Sequence, residues 1–193
     1  MLPHIKIAII GASGTGKTSF IRKFKTNQFM ERCQATTCTV LFKPKLVGKH
    51  NGVEDLLDIT LMDFREFDKF PLDSLEEWET RGAIGVRSAD AYILFYDVTN
   101  FSSLEHVINM REGIVEVRVV GNKRDLCTPG LSPIYNYGPA ASSRDEIVLR
   151  NREVNERKVS QLAKKSWRSQ HFESSVKFGW NVNTVIHETI KMV

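Results

Sequence analysis

Residues 11 to 19 read Gly-Ala-Ser-Gly-Thr-Gly-Lys-Thr-Ser and follow directly on the apolar run Ile-Lys-Ile-Ala-Ile-Ile. Gly11, Gly16, Lys17 and Thr18 fit the spacing G-x-x-x-x-G-K-[ST] of a phosphate-binding loop. Such a loop turns several backbone N–H groups toward one anion, and bulky side chains would keep that anion away. A helix starting near Gly16 aims the positive end of its dipole at the same point. Lys17 then supplies a mobile positive charge to the outer phosphates, and the Thr18 hydroxyl is a ligand for Mg²⁺. Ala12, Ser13, Gly14, Thr15 and Ser19 complete the candidate cradle. A chance match of four such positions in a chain of this length has a probability on the order of one per cent.

Phosphate chemistry alone suits ATP and GTP equally. The base is addressed by Val-Val-Gly-Asn-Lys-Arg-Asp-Leu, residues 119 to 126. A carboxylate at Asp125, just past a buried strand, accepts two hydrogen bonds from the ring N–H and exocyclic amine of guanine, a pair that adenine does not offer there. Charge-assisted bonds of this kind are strong, and a carboxylate desolvated without them loses several kcal/mol, by order of magnitude. Asp125 therefore points to guanine.

These groups need a scaffold that brings them to one edge. Ile5 to Ile10 reads as a buried strand, and Lys17 to Phe29 as a helix with Phe20, Ile21 and Phe24 on one face. Two strand-like stretches flank Gly-Lys-His-Asn-Gly (48–52), whose Asn-Gly is a hairpin signal. Ser74-Leu-Glu-Glu77 has the spacing of a capping box at the start of a helix. Asp90 to Val98 is apolar at nearly every position, as a strand covered on both faces must be, and Val115 to Asn122 reads as another. The helical stretch Ser102 to Met110 separates them with almost no loop before the second, which is short for a helix crossing back over a parallel sheet. Val154, Val159, Leu162, Ala163 and Trp167 share a later helical face, a strand from His171 follows, and a last helix starts near Thr184. The alternation predicts an α/β fold with a mostly parallel sheet between helices and an antiparallel hairpin at one edge.

With 193 residues the chain suits one domain (1–193), and residues 128–152, rich in Pro and Gly, read as a flexible insertion. No apolar run reaches membrane-spanning length. Cys33, Cys38 and Cys127 have no metal-ligand spacing and are expected to be free thiols in the cytoplasm. The net charge of +4 is mild. Residues 141–170 hold eight Lys or Arg against four Asp or Glu, a basic stretch able to touch anionic lipid but equally a solvated helix face. Nucleic acid is not an expected partner.

The order of Gly-Ala-Ser-Gly-Thr-Gly-Lys-Thr-Ser, Leu-Met-Asp-Phe (61–64), Gly-Asn-Lys-Arg-Asp (121–125) and Glu-Ser-Ser-Val-Lys (173–177) resembles the Ras-like small GTPases over nearly the whole chain. The middle, residues 62–78 and 87–98, is most similar to their divergent member 10 branch. The resemblance implies a P-loop NTPase fold of G-domain type, with six strands including one antiparallel edge strand and helices on both faces. It further implies a monomeric GTP/GDP switch that hydrolyses GTP, with Mg²⁺, protein effectors and regulators such as an exchange factor or GTPase-activating protein. Asn122 and Lys123 would brace the base and the phosphate loop, and Ser175, Val176 and Lys177 would cover the guanine edge, although the family prefers alanine at 176. Phe29 would pack on the base, though it could equally be core. Thr36 would close on Mg²⁺ and the terminal phosphate, favoured over its neighbour Thr37 by spacing, and Asp63 would hold the metal through water. Lys17 and Thr36 are thus the candidate catalytic groups, and Thr18, Thr36 and Asp63 the metal ligands.

Several positions depart from the family. Its second switch reads Asp-x-x-Gly-Gln, and here Glu66 stands at the glycine and Phe67 at the water-positioning glutamine. A carboxylate about 5 Å from a phosphate charge is repelled by roughly 3 kcal/mol at an effective dielectric near 20. Ser13 replaces a usual glycine and either crowds the site or is a harmless hydroxyl. Slow intrinsic hydrolysis is expected, with a nucleotide-holding interaction module as the alternative. An ATP-dependent kinase is disfavoured by Asn-Lys-Arg-Asp. The final His-Glu-Thr-Ile-Lys-Met-Val spells no Cys-a-a-X signal, so a cytoplasmic location is expected, with the inner face of the plasma membrane suggested only by the family.

Overall fold

Nearly continuous apolar runs in the central strands, joined by connections that carry the helices, give a single sheet in the computed structural model, which describes residues 4–31, 40–43, 45–50, 53–114, 116–127 and 152–193. The strands are β1 (His4–Ile10), β2 (Val40–Phe42), β3 (Lys45–His50), β4 (Val53–Asp63), β5 (Ala91–Asp97), β6 (Val117–Asn122) and β7 (Gln170–Glu173). Their order is β2-β4-β1-β5-β6-β7, with β3 also paired to β4. The pairs β4–β1, β1–β5, β5–β6 and β6–β7 are parallel. β2 and β3 both run antiparallel to β4 in one unbroken register, Phe42 opposite Leu61 and Lys45 opposite Asp58. The shared register makes them one edge position of the sheet. The sheet thus has the expected six positions, five parallel and one antiparallel.

The helices are α1 (Lys17–Thr26), α2 (Ser74–Glu79), α3 (Phe101–Arg111), α4 (Glu156–Ser166) and α5 (Val182–Ile190). Alternation along the strands sorts the core onto the two faces. Ile5, Ile7 and Ile9 of β1, with Ile93 and Phe95 of β5, pack with Phe20 and Ile21 of α1 and Val185 and Ile186 of α5. Ala8 and Ile10, with Tyr92, Leu94 and Tyr96, pack with Leu104, Val107 and Met110 of α3 and Val159 and Ala163 of α4. The face expected for α1 is confirmed, with Phe24 half-buried beside Phe20 and Ile21. Trp167 and Val154 flank α4 and join the second cluster.

Two local expectations are corrected. α2 is capped by Asp73, not Ser74: the Asp73 carboxylate accepts from the amides of Leu75 and Glu76, and Glu76 accepts from Leu72. A carboxylate is the stronger acceptor at a helix start, which moves the box one residue toward the N-terminus. The close succession of α3 and β6 is no obstacle. Eleven residues of helix span about 16 Å and six of strand about 20 Å, so residues 112–116 suffice to reverse the chain. Gly113 in this stretch lets the Phe70 ring approach the backbone, since a Cβ there would lie 2.4 Å from it. The Asn51-Gly52 turn, Cys33, Cys38 and residues 128–151 of the expected insertion lie outside the described residues. Cys127 is a buried free thiol. Among the described residues no helix is long and apolar enough to cross a membrane.

Chain 152–154 docks onto the sheet. Arg152 pairs with the buried carboxylate of Glu173 at the end of β7, and the amides of Glu153 and Val154 donate to Val98. Nearby, the buried Tyr96 hydroxyl lies 2.9 Å from His171 Nε2, with the two rings stacked. Burial pushes the His171 imidazole down to about 4, outweighing the opposing pull of Glu156. The unfolded histidine, near 6.5, therefore binds more protons between pH 6.5 and 4, so this site's stabilisation is complete above 6.5 and is lost as the pH falls toward 4. Denaturant unfolding at pH 7 and pH 4.5 is expected to show a His171→Gln variant losing less stability on acidification than the parent, by about 2 kcal/mol. Equal losses in the two proteins would contradict the burial effect.

Candidate functional site

β1, β4, β5 and β6 are parallel, so their C-terminal ends, Ile10, Asp63, Asp97 and Asn122, lie along one edge of the sheet. Ligands of open parallel sheets bind at that edge. It opens into a cavity of about 470 Å³ lined by Ser13, Gly14 and Gly16 to Ser19, by Phe29 to Glu31, by Arg65 and Glu66, and by Asn122, Lys123, Asp125, Leu126, Val176 and Lys177.

The loop between β1 and α1 depends on two glycines. A Cβ at Gly11 would lie 2.0 Å from the Phe95 carbonyl oxygen, and at Gly16, where φ is 105°, 2.5 Å from Asn122 Nδ2. Gly16 is also the N-cap of α1, and the helix starts with no side-chain cap and no acidic residue in its first turn. That combination leaves a helix start suited to an external anion. Thr15 is buried and its hydroxyl donates to the Ala12 carbonyl, fixing the loop from within. Gly11, Ala12 and Thr15 shape the cradle from behind and do not line the cavity.

Lys17 is buried, and its ammonium donates to the carbonyls of Gly11 at 2.7 Å and Ala12 at 2.9 Å. Burial lowers its pKa, while the charges of Asp63 and Glu66 work in the opposite direction. The Thr18 hydroxyl donates to Asp63 Oδ2 at 2.6 Å, and Asp63 is fully buried at the end of β4. A hydroxyl and a carboxylate are hard oxygen donors, a set that fits Mg²⁺ held largely by phosphate and water. Among the described residues no group of three or more His, Cys, Asp or Glu side chains could hold a metal ion. Thr36 and its competitor Thr37 lie outside the described residues.

Asn122 is the brace. Its Nδ2 donates to the Thr15 carbonyl at 2.8 Å and its Oδ1 accepts from the Val176 amide at 3.1 Å, both deep in the structure. Ser175, fully buried, donates its hydroxyl to Asp125 Oδ1 at 2.6 Å and accepts from the Phe178 amide. A carboxylate oxygen has two acceptor sites, so this bond orients Asp125 and leaves acceptor capacity toward the cavity. Lys123 adopts φ 65° and places its ammonium 2.6 Å from Asp97 Oδ2. Lys177 stands 3.9 Å from Glu31. Phe29 is not core: it is 37% exposed at the cavity wall.

The structure adds Asp97, which sequence reading passed over, and shows where Glu66 and Phe67 go. Asp97 anchors Lys123, and it ends a buried strand just as Asp63 does, a signal available in the sequence. Glu66 Oε2 accepts from the Ser13 amide of the phosphate loop at 2.9 Å. Phe67 turns away from the cavity, 4% exposed, and packs edge-on against Phe64. Met30, Glu31, Arg65 and Leu126 at the wall carry no motif of their own.

Two family models match the chain. The Ras family model covers residues 74–193, and that described as Ras of Complex, Roc, domain of DAPkinase covers residues 6–125. The human Ras-like protein family member 10B is 34% identical over 193 residues, which span all of this chain and 87% of that protein. The mouse Ras-like protein family member 10A is 28% identical over 197 residues, 97% of this chain and 85% of that protein. The Ypt/Rab-type GTPase YPT7 of Saccharomyces cerevisiae is 27% identical over 192 residues, 95% of this chain and 78% of that protein. With two family models each matching more than half of the chain and a relative 34% identical over its whole length, the chain belongs to the Ras family of small GTPases.

Proposed function

We propose that this chain is a single-domain, monomeric GTP/GDP switch whose intrinsic hydrolysis is slow. The observation that carries the reading is the cavity wall itself, where Lys17 and Thr18 lie on the same surface as Asn122 and Asp125. Guanine would sit against Asp125, with Val176 and Lys177 over its edge and Phe29 beside it. Phosphates would enter the loop at Gly14 to Lys17. Thr18 and Asp63, with Thr36, would hold Mg²⁺, which when bound neutralises phosphate charge. Lys17, already oriented by two carbonyls, would exchange one or both for phosphate oxygens.

Slow turnover follows from side chains that point the wrong way for it. Hydrolysis in this family needs a polar group to orient the attacking water. Phe67 has none, and its ring is committed to the core beside Phe64. An external protein would have to supply that group or an arginine. The surface around Asp63 to Phe67 is where an effector would read the bound nucleotide. A cytoplasmic location, with weak contact to anionic lipid through the basic stretch that includes Lys158, Lys164, Lys165 and Arg168, completes the proposal.

Competition binding of GTP, GDP and ATP with Mg²⁺ tests the base contact. Asp125→Asn replaces two charge-assisted acceptor bonds with one weak acceptor and a misplaced donor, and guanine affinity is expected to fall by about a hundredfold or more. Undiminished guanine binding by a folded variant would refute the assignment of Asp125. For turnover, single-turnover hydrolysis with Mg²⁺ is expected to run below the intrinsic rate of Ras, on the order of 10⁻⁴ s⁻¹. A rate at or above that value contradicts slow hydrolysis, and no detectable turnover even with cell extract favours a nucleotide-holding interaction module.

A further inference from the structure

Glu66 makes a contact that no step above uses. Its carboxylate is hydrogen-bonded to the Ser13 amide inside the phosphate cavity, across 53 residues of sequence. The segment that delivers it is pinned on both sides. Phe64 before it is fully buried and Phe67 after it nearly so. The Arg65 stem lies against Gly82, where a Cβ would meet it at 2.3 Å. From α3, His106 Nδ1 stands 3.9 Å from Glu66 Oε1, its ring largely buried. Glu66 also acts electrostatically on Lys17, which places the carboxylate within the field of the phosphate-binding ammonium.

Strand order gives the cavity a direction. Asp125 follows β6, whereas Asp63 and Glu66 follow β4, with β5 and β1 between them. Three strand spacings separate the two sides by about 14 Å. A nucleotide whose base lies at Asp125 runs its phosphate chain toward the β4 side, and the last phosphate comes nearest to Glu66. On that reading a diphosphate would stop one phosphate short of it. A third phosphate brings further negative charge toward a carboxylate that already accepts one of the loop's amides, and like charges at such range repel strongly.

We propose that Glu66 is an internal anionic competitor of the terminal phosphate, clasping the phosphate loop through the Ser13 amide and biasing this protein toward guanosine diphosphate over triphosphate. The inference rests on the guanine-nucleotide reading given above. It makes Glu66 a specificity-determining residue, and it gives the Glu66 side chain a resting position on the loop from which a triphosphate must displace it.

Fluorescence titration with N-methylanthraniloyl GDP and its β,γ-imido triphosphate counterpart, both with Mg²⁺, tests the proposal on the full chain. The quantity read is the ratio of triphosphate to diphosphate Kd. Glu66→Gln keeps the size and an acceptor but removes the charge, and Glu66→Gly removes the side chain. In both variants the ratio is expected to fall by about tenfold or more. A ratio within about threefold of the parent in Glu66→Gln, whatever the glycine variant does, overturns charge competition. A folded parent chain that binds neither nucleotide overturns the function reading and this inference together, a result distinct from an unchanged ratio.

Discussion

The side chain of Asn122 joins three separate segments, and the site depends on that joint. It stands at the end of β6, holds the phosphate loop by the Thr15 carbonyl, and holds the loop after β7 by the Val176 amide. Both partners are buried, so each bond counts less through its net strength, about 1 kcal/mol, than through the penalty of about 1–3 kcal/mol for leaving a buried group unpaired. The geometry is equally restrictive. Gly16 leaves only enough room for Asn122 Nδ2, and any Cβ there would take its place. Loop backbone and brace are therefore one construction: glycine lets the chain approach, and the amide locks it.

Around this joint the charges are arranged by function and then restrained by one another. Lys17 loses hydration in the core but keeps two carbonyl acceptors and the fields of Asp63 and Glu66. Asp63 is buried against the Thr18 hydroxyl, and Asp97 is nearly buried against Lys123. Each buried charge thus has a partner, as the cost of desolvating an isolated ion requires. Asp125 differs in being half-buried and oriented by a neutral hydroxyl, Ser175, which leaves acceptor sites of its carboxylate unfilled by that bond.

What sequence alone revealed follows the range of the interactions. The loop between β1 and α1 is a local motif between a strand and a helix, so both flanking elements were legible, as was Asp63 at the end of β4, whereas Asp125 stands three residues past β6 in the turn Arg124–Cys127. The antiparallel edge was legible because Asn-Gly marks a hairpin. The partner of Lys123 was not, since pairing β5 with β6 is a tertiary fact, although Asp97 ends its strand conspicuously. The shift of the α2 cap from Ser74 to Asp73 reflects competition between two adequate caps one residue apart, which spacing does not decide. Glu66 was recognised as a misfit from its position, yet its bond to Ser13 appears only when β4 and β1 are laid side by side.

The segment that follows β4 is packed into the core by aromatic side chains. Phe64, Phe67 and Phe70 are all buried in the cluster that also contains Tyr92, Met110 and Ile114, and Phe70 meets Tyr92 edge-on. Lifting Phe67 and Phe70 from that core would cost about 1.5–3 kcal/mol each in lost burial, before any change in backbone order. Contacts to a terminal phosphate would have to exceed that cost to reorder the whole segment. By contrast α2 has no buried residue and exposes Leu75 and Trp78, so it is held to the body far more weakly. The energetic boundary between fixed and movable structure therefore falls after Pro71, which is also buried. Upstream of it, rearrangement at low cost is confined to side chains, above all Arg65 and Glu66; downstream, the whole short helix can shift without opening the core.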